Sequence, residues 1–414
     1  MKVPVRSPLA ALSGCAGRLS AAPGVALLFG GLVAGLPWNR GLAANAWAAD
    51  KTMAAQAAQP WGRLEISRVF LQAPRSLLEF TEAPDQRTIW SFPGMDWPRV
   101  KGFLSTVGLT AAQWEQICSP GLRNVSGSGV ALTPSVEFLV GLSPASRQLI
   151  YDELGRHEAN PDHRRPLLIF GDFEEWAAGS GLSADHRRLV ERLLWKKGDL
   201  AAFSDLSALL ERAASLHEMT EARRFMTRRH SYLARVTSPE PALQGAFVDY
   251  WAGKGRNPEV IPLLDAVAGA GGRKVVDLPL LLPSLARERL YSFPTLKDAV
   301  AGRLPDCHWS SLNFFAVRPE PYYLDSRVSF LELTQGYLAL DEPSELGDLI
   351  CFLDGGGSVL HSCVHLAEDL VFTKNGQSLF APWVIMRRRE VEDIYRPNGA
   401  VAVRFLRRKD SDTK

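Results

Sequence analysis

From about residue 61 to 290, apolar positions recur three or four apart with polar or charged residues between them and Gly or Pro at the breaks, which predicts amphipathic helices. Segments 97–118, 144–154, 184–195, 206–216 and 221–233 follow this pattern, and no repeat of fixed period emerges. Past Pro294 the pattern changes. From Gly347 onward, short apolar, β-branched runs are separated by polar or Gly-rich turns, so 348–353, 359–367, 370–373, 383–386 and 401–406 read as strands of a small antiparallel sheet. Asp354-Gly355-Gly356-Gly357-Ser358 supplies hairpin-turn chemistry between the first two. The expected fold class is α+β, with a mainly α-helical domain over 61–290 and a second domain over 295–410 in which a helix packs on the sheet.

The first 48 residues read as a signal peptide. Lys2, Arg6 and Arg18 form a positive n-region, 24–36 is a thirteen-residue apolar run, and Ala46-Trp47-Ala48 is a small-x-small cleavage signature. A membrane span needs about 20 apolar residues, so cleavage is expected rather than anchoring, and the mature chain is expected without a membrane span. The localisation that follows is exported, periplasmic or extracellular in a bacterium.

With 414 residues, 46% hydrophobic and 22% charged, the chain is neither disordered nor collagenous. Its 47 basic and 45 acidic residues give a net charge of +2, with no electrostatic footprint for nucleic acid. Five Cys are too few for a disulfide scaffold. Cys118 reads as core. Cys351 and Cys363 flank the Gly-rich turn almost symmetrically and read as two buried thiols, with a cross-strand disulfide as the alternative. His157, Asp162 and His163 read as a solvated loop, and Arg223-Arg224 with Arg228-Arg229-His230 as a solvated helix face.

The candidate chemistry begins at Pro305-Asp306-Cys307-His308-Trp309. Pro and Asp are helix-start residues, and Trp309, Leu312 and Phe315 recur at threes as an apolar stripe, so Cys307 is expected in the first turn of a buried helix. A thiol there feels unpaired backbone N–H groups and the positive end of the helix dipole, both of which favour the thiolate. The second element is His361-Ser362-Cys363-Val364-His365. On a helix the two histidines would share a face and could hold zinc. On a strand, which the Gly-rich turn and Val359 and Val364 favour, they stand about 13 Å apart, too far for one ion. No cofactor or metal is expected.

A Cys opening a helix, then Gly-Asp-Leu-apolar-x-Phe, then a hairpin and a strand-borne His resembles the NlpC-type papain-like cell-wall peptidases. Their motifs Asp-Cys-Ser-Gly, Gly-Asp-Leu-Val-Phe-Phe and His-Val-Gly-Ile-Tyr-Leu-Gly have counterparts in Asp306–Trp309, Gly347–Phe352 and His361–Ala367. The resemblance covers 295–410. It implies a papain-like domain, with Cys307 as nucleophile, His361 rather than His365 as base, and a third polar residue on the next strand. Counting from His361 lands on Thr373, whereas Asn375 offers the carbonyl acceptor of a Cys-His-Asn triad; Lys374, a donor only, does not serve. The chain departs from the family in having His308-Trp309 after the Cys, and Trp309 is similar to the aromatic that CHAP-type amidases carry there. The implied function is an exported cysteine hydrolase that cleaves an amide bond in peptidoglycan stem peptides. The alternatives are a non-catalytic envelope-binding protein on the same fold and a papain-like acyltransferase. The helical domain carries no assignable chemistry, and the oligomeric state is open.

Overall fold

The computed structural model describes residues 59–79, 87–269 and 274–409. The expected signal peptide lies outside the described residues. Among the described residues, seventeen α-helices and fifteen strands in four sheets make a mixed α+β protein. No helix among them is long and apolar enough to cross a membrane.

Region 61–290 holds thirteen of these helices, but it is not helical alone. It holds nine of the strands, in three three-stranded sheets. One sheet is built from β1 (Arg63–Leu71), β2 (Arg229–Thr237) and β3 (Val275–Asp277), with β2 in the middle. The other two combine strands of three or four residues, too short for alternation to show against flanking helical spacing. Segment 221–233, expected as one helix, shows the switch: the helix Leu216–Met226 ends and β2 begins at Arg229.

That switch overturns the solvated reading of Arg228 and His230, which are both buried. Arg228 donates to Gln72 Oε1 and, at 2.6 Å, to Ala178 O, and its guanidinium lies 4.7 Å from the Phe70 ring centroid. His230 meets Glu390 at 3.1 Å between Phe170 and Trp176. His163 likewise leaves the solvated loop: it lies in the short helix Pro161–Arg164, packed edge-on to Tyr151 at 4.5 Å, where burial lowers its pKa to about 3. Long-range partners bury these polar groups, which local sequence cannot supply.

The six-stranded sheet carries the organisation of the molecule. Its strands are β4 (Tyr337–Leu340), β5 (Leu349–Leu353), β6 (Val359–Ala367), β7 (Leu370–Lys374), β8 (Trp383–Arg387) and β9 (Ala402–Arg408). They run antiparallel in the order β4-β9-β5-β6-β7-β8. The five predicted strand segments correspond to β5 through β9. Every residue of β5 and β7 is buried, which is why β5 and the first three residues of β7 read as apolar runs rather than alternation.

Alternate side chains serve two cores. Ile350, Phe352, Cys363 and Val371 join Trp90, Phe203 and Phe225 on one side, whereas Leu349, Cys351, Val364 and Phe372 join Trp251, Leu281 and Trp309 on the other. Residues on both sides of position 290 therefore share each core, and the described residues form one compact unit. The free edge of β8 is covered: Ser231 Oγ donates to Ile385 O at 3.2 Å and accepts from Ile385 N at 3.0 Å, while Tyr291 N donates to Trp383 O at 2.8 Å.

Candidate active site

The helix α1 (Cys307–Leu312) starts where Pro305-Asp306 predicts. Asp306 is its N-cap, with extended backbone and a carboxylate accepting from Trp309 N at 2.8 Å. Trp309 and Leu312 sink into the core, and Trp383 Nε1 donates to Ser310 Oγ at 2.8 Å. At the far end Asn313 donates to Trp309 O at 3.0 Å and accepts from Glu320 N at 2.7 Å. With both ends pinned, Cys307 stands at the first helical position and is 6% exposed.

His361 comes from β6 and is fully buried. Its ring stacks on Tyr395 of α2 (Arg388–Tyr395) with centroids 4.1 Å apart and an interplanar angle of 16°, with Phe352 on another side at 5.9 Å. The β6–β7 ladder runs from the hairpin at Ala367–Leu370 as far as Val364–Phe372. Beyond it, side chains bridge the strands: His361 Nε2 lies 2.9 Å from Thr373 Oγ1. Thr373 Oγ1 donates onward to Asn375 Oδ1 at 3.4 Å, and Asn375 Nδ2 is turned to Met386 Sδ at 3.1 Å.

This chain of donors sets the tautomer. Because the Thr373 proton points to Asn375, Thr373 Oγ1 accepts from His361 Nε2–H, and Nδ1 is left as the atom for proton exchange. Nδ1 is buried and has no hydrogen-bond partner among the described residues. Thr373 is thus the direct partner of the imidazole and Asn375 stands behind it, so both counted positions belong to one relay.

The surroundings favour a charged sulfur. Burial alone would raise the Cys307 pKa, but the charges of the neighbouring His308 and His361 rings bring it well below a thiol's ordinary value. Burial raises Asp306, with the Cys307 charge adding to the effect against opposing pulls from His308 and Lys374. Lys374 is fully buried, donates to Gly376 O at 2.7 Å and Ser378 O at 3.1 Å, and burial lowers its pKa to about 7. It braces the turn after β7 as a donor.

Sequence reasoning gave no role to His308. Its Nδ1 lies 2.9 Å from Ser362 Oγ, which in turn donates to Ser311 Oγ at 3.2 Å. Burial would lower its pKa, but the Cys307 charge and hydrogen bond, the Asp306 charge and the Val359 carbonyl raise it to about 9. The signal was its place beside Cys307, where the family pattern has Ser.

The remaining candidates lie elsewhere. His365 is on the same strand as His361, not on a shared helical face, and it meets Tyr250 Oη at 3.4 Å. Cys351 pairs with Ser362 and Cys363 with Ile350, so the two thiols face opposite cores and cannot bridge; both are free. Burial raises Cys351 to about 12 and Cys363 well above the ordinary value, which leaves both protonated. Cys118 is half-buried against the first core.

Asp348 of the Gly347-Asp348 motif is a structural residue. It is fully buried, with Arg407 Nε at 2.8 Å, Arg407 NH2 at 2.7 Å, and the N–H groups of Ser344 and Glu345 both at 2.9 Å. Gly347 has φ +94°, and a Cβ there would meet the Phe315 ring at 2.2 Å, so the motif's glycine is required by both backbone and space. Comparison with protein-family models, curated proteins and solved structures finds no match to this chain.

Proposed function

We propose that this chain is an exported cysteine hydrolase with a papain-like C-terminal region, acting on an amide bond of peptidoglycan stem peptides. The observation that carries the reaction class is the convergence of Cys307, at a helix start, with an imidazole whose far nitrogen is tied to Thr373 and Asn375. The substrate class follows from the family resemblance and the expected export signal.

The Cys307 thiolate attacks the amide carbon, and the first-turn N–H groups of Cys307 and His308 receive the oxyanion. As the C–N bond breaks, His361 Nδ1–H protonates the leaving amine and a thioester remains. Water then attacks the thioester, its proton passes to His361 Nδ1, and the C–S pair returns to sulfur as thiolate. Thr373 keeps Nε2 as donor throughout, so that only Nδ1 changes protonation. One observation favours the non-catalytic reading, namely the small exposure of the thiol.

The deciding experiment incubates the chain from Ala49 with muropeptides, alongside Cys307→Ala, and follows products by mass spectrometry. New fragments absent with the variant are expected, and their masses identify the bond. Intact muropeptides with folded protein whose Cys307 reacts readily with iodoacetamide would overturn the substrate class. An inert Cys307 would overturn the hydrolase reading.

A further inference from the structure

We infer that Tyr395 is a positioning residue for His361: its ring, laid flat on the imidazole from a helix anchored to the first sheet, fixes the plane in which His361 exchanges its proton. The inference rests on the reading of His361 as base and deepens it, adding to Thr373 a second restraint on the ring.

One hydrogen bond does not hold an imidazole still. The second side-chain torsion of His is broad and roughly two-fold, so the 2.9 Å contact between His361 Nε2 and Thr373 Oγ1 selects one of two orientations and leaves the ring free to rock. A flat neighbour removes that freedom. With centroids 4.1 Å apart and planes 16° from parallel, His361 and Tyr395 are the closest and most nearly parallel of the ring pairs among the described residues. Phe352 lies opposite His361 in the β5–β6 register, 5.9 Å from the imidazole and 6.1 Å from Tyr395, so rings from two further elements bound the His361 ring.

Tyr395 is itself held at both ends of α2. At the start, Arg387 N donates to Glu390 Oε2 at 2.9 Å and Tyr232 Oη donates to Glu390 Oε1 at 2.6 Å. Tyr232 lies on β2, as does His230 beside the same carboxylate, so the middle strand of the first sheet grips the helix. Arg388 N donates to Asp369 O at 2.7 Å, and Val391 is fully buried in the first core. At the end, Tyr395 O accepts from Ala400 N at 3.0 Å and Asn398 Nδ2 donates to Ile394 O at 2.6 Å. Region 61–290, which carries no assignable chemistry, thereby supplies the anchor for a ring of the candidate site.

The stack has a chemical consequence besides the mechanical one. Burial keeps the Tyr395 phenol protonated, and a neutral aromatic face attracts a cation. It therefore favours the imidazolium that forms when His361 takes a proton, and an imidazolium beside Cys307 favours the thiolate.

The test reads Cys307 directly, independently of any substrate. Initial rates of iodoacetamide alkylation are followed through the Cys307 peptide mass in wild type, Tyr395→Leu, Tyr395→Phe, His361→Ala and the double variant Tyr395→Leu with His361→Ala, with thermal melting to confirm folding. His361→Ala is expected to slow alkylation. Tyr395→Leu is expected to slow it about fivefold, the loss an aromatic stack supports, and Tyr395→Phe, which keeps the flat face, to restore it. In the His361→Ala background Tyr395→Leu is expected to change nothing further, because it acts through the imidazole. Tyr395→Met, which fills the space without a flat face, takes the place of Tyr395→Leu if that variant does not melt cooperatively.

An unchanged rate in folded Tyr395→Leu, with His361→Ala slowed, would overturn the role of Tyr395 and leave the reading of His361 intact. The same loss from Tyr395→Leu with and without His361, or a loss in Tyr395→Phe as large as in Tyr395→Leu, would also overturn it. A rate unaffected by His361→Ala would overturn both.

Discussion

Strand β6 carries two buried histidines four residues apart, and their surroundings make them different chemical objects. His361 stacks on Tyr395, bonds Thr373 and reaches Cys307. His365 meets Tyr250 Oη, whose proton goes to Leu366 O at 2.6 Å, so its Nε2 is likewise a donor. Burial lowers the pKa of His365 to about 4, against a smaller upward pull from Asp348, whose charge is already neutralised by Arg407. Both rings are donors at Nε2 and both are buried. Only His361 lies near enough to a thiol to lower its pKa, so burial and tautomer alone do not tell the two rings apart.

The sharpest way to break this comparison is to delete each ring in turn. His361→Ala is expected to lower kcat on muropeptides by ~10²–10⁴-fold, the usual contribution of acid–base catalysis. His365→Gln is expected to leave kcat unchanged and to flatten the dependence of thermal stability on pH. The sign follows from linkage: the folded pKa of His365, about 4, lies below the ordinary imidazole value of 6.5, so the unfolded chain binds more protons between those values. Its neutral form therefore contributes stability that is full above 6.5 and lost as pH falls toward 4. Equal kcat losses in the two variants, measured by steady-state kinetics, would remove the distinction.

The Asp348–Arg407 pair on the His365 side should matter for folding rather than turnover. Asp348→Ala removes the buried carboxylate that the Ser344 and Glu345 N–H groups share with Arg407 and is expected to cost about 1–3 kcal/mol by denaturant titration. Burial would raise the pKa of Asp348, but Arg407 and the Ser344 and Glu345 N–H groups lower it. Its stabilisation is present above the unfolded carboxylate range and fades as pH falls through the lowered folded value. The smallest expected effect is within the relay. Thr373→Val should lower kcat by about tenfold with KM nearly constant, a modest part of what acid–base chemistry supplies, and Asn375→Ala by less, because Asn375 acts on His361 only through Thr373.

The legible parts of the molecule were those whose signal is local. Pro305 and Asp306 mark the start of α1 because capping involves residues three apart, and the structure has Asp306 bonded to Trp309 N. Strands β5 to β8 were legible because burial on two faces gives them short apolar, β-branched runs between polar or Gly-rich turns. The order of Thr373 and Asn375 in the relay was not. It depends on the ladder ending at Val364–Phe372, which frees Thr373 to reach across while Asn375 turns to Met386. His308 escaped notice because its partner Ser362 lies 54 residues along the chain.

Local propensity and turn chemistry act over a few residues, so the sequence by itself determined the capped start of the Cys307 helix, the hairpin after β5 and the run of strands that follows. Which core each strand face meets, why Arg228 and His230 are buried, and which imidazole donates to which hydroxyl were decided by tertiary structure alone. Hydrogen bonds are short and directional, and the residues that complete them here come from separate elements that meet only when the sheet has closed between its two cores.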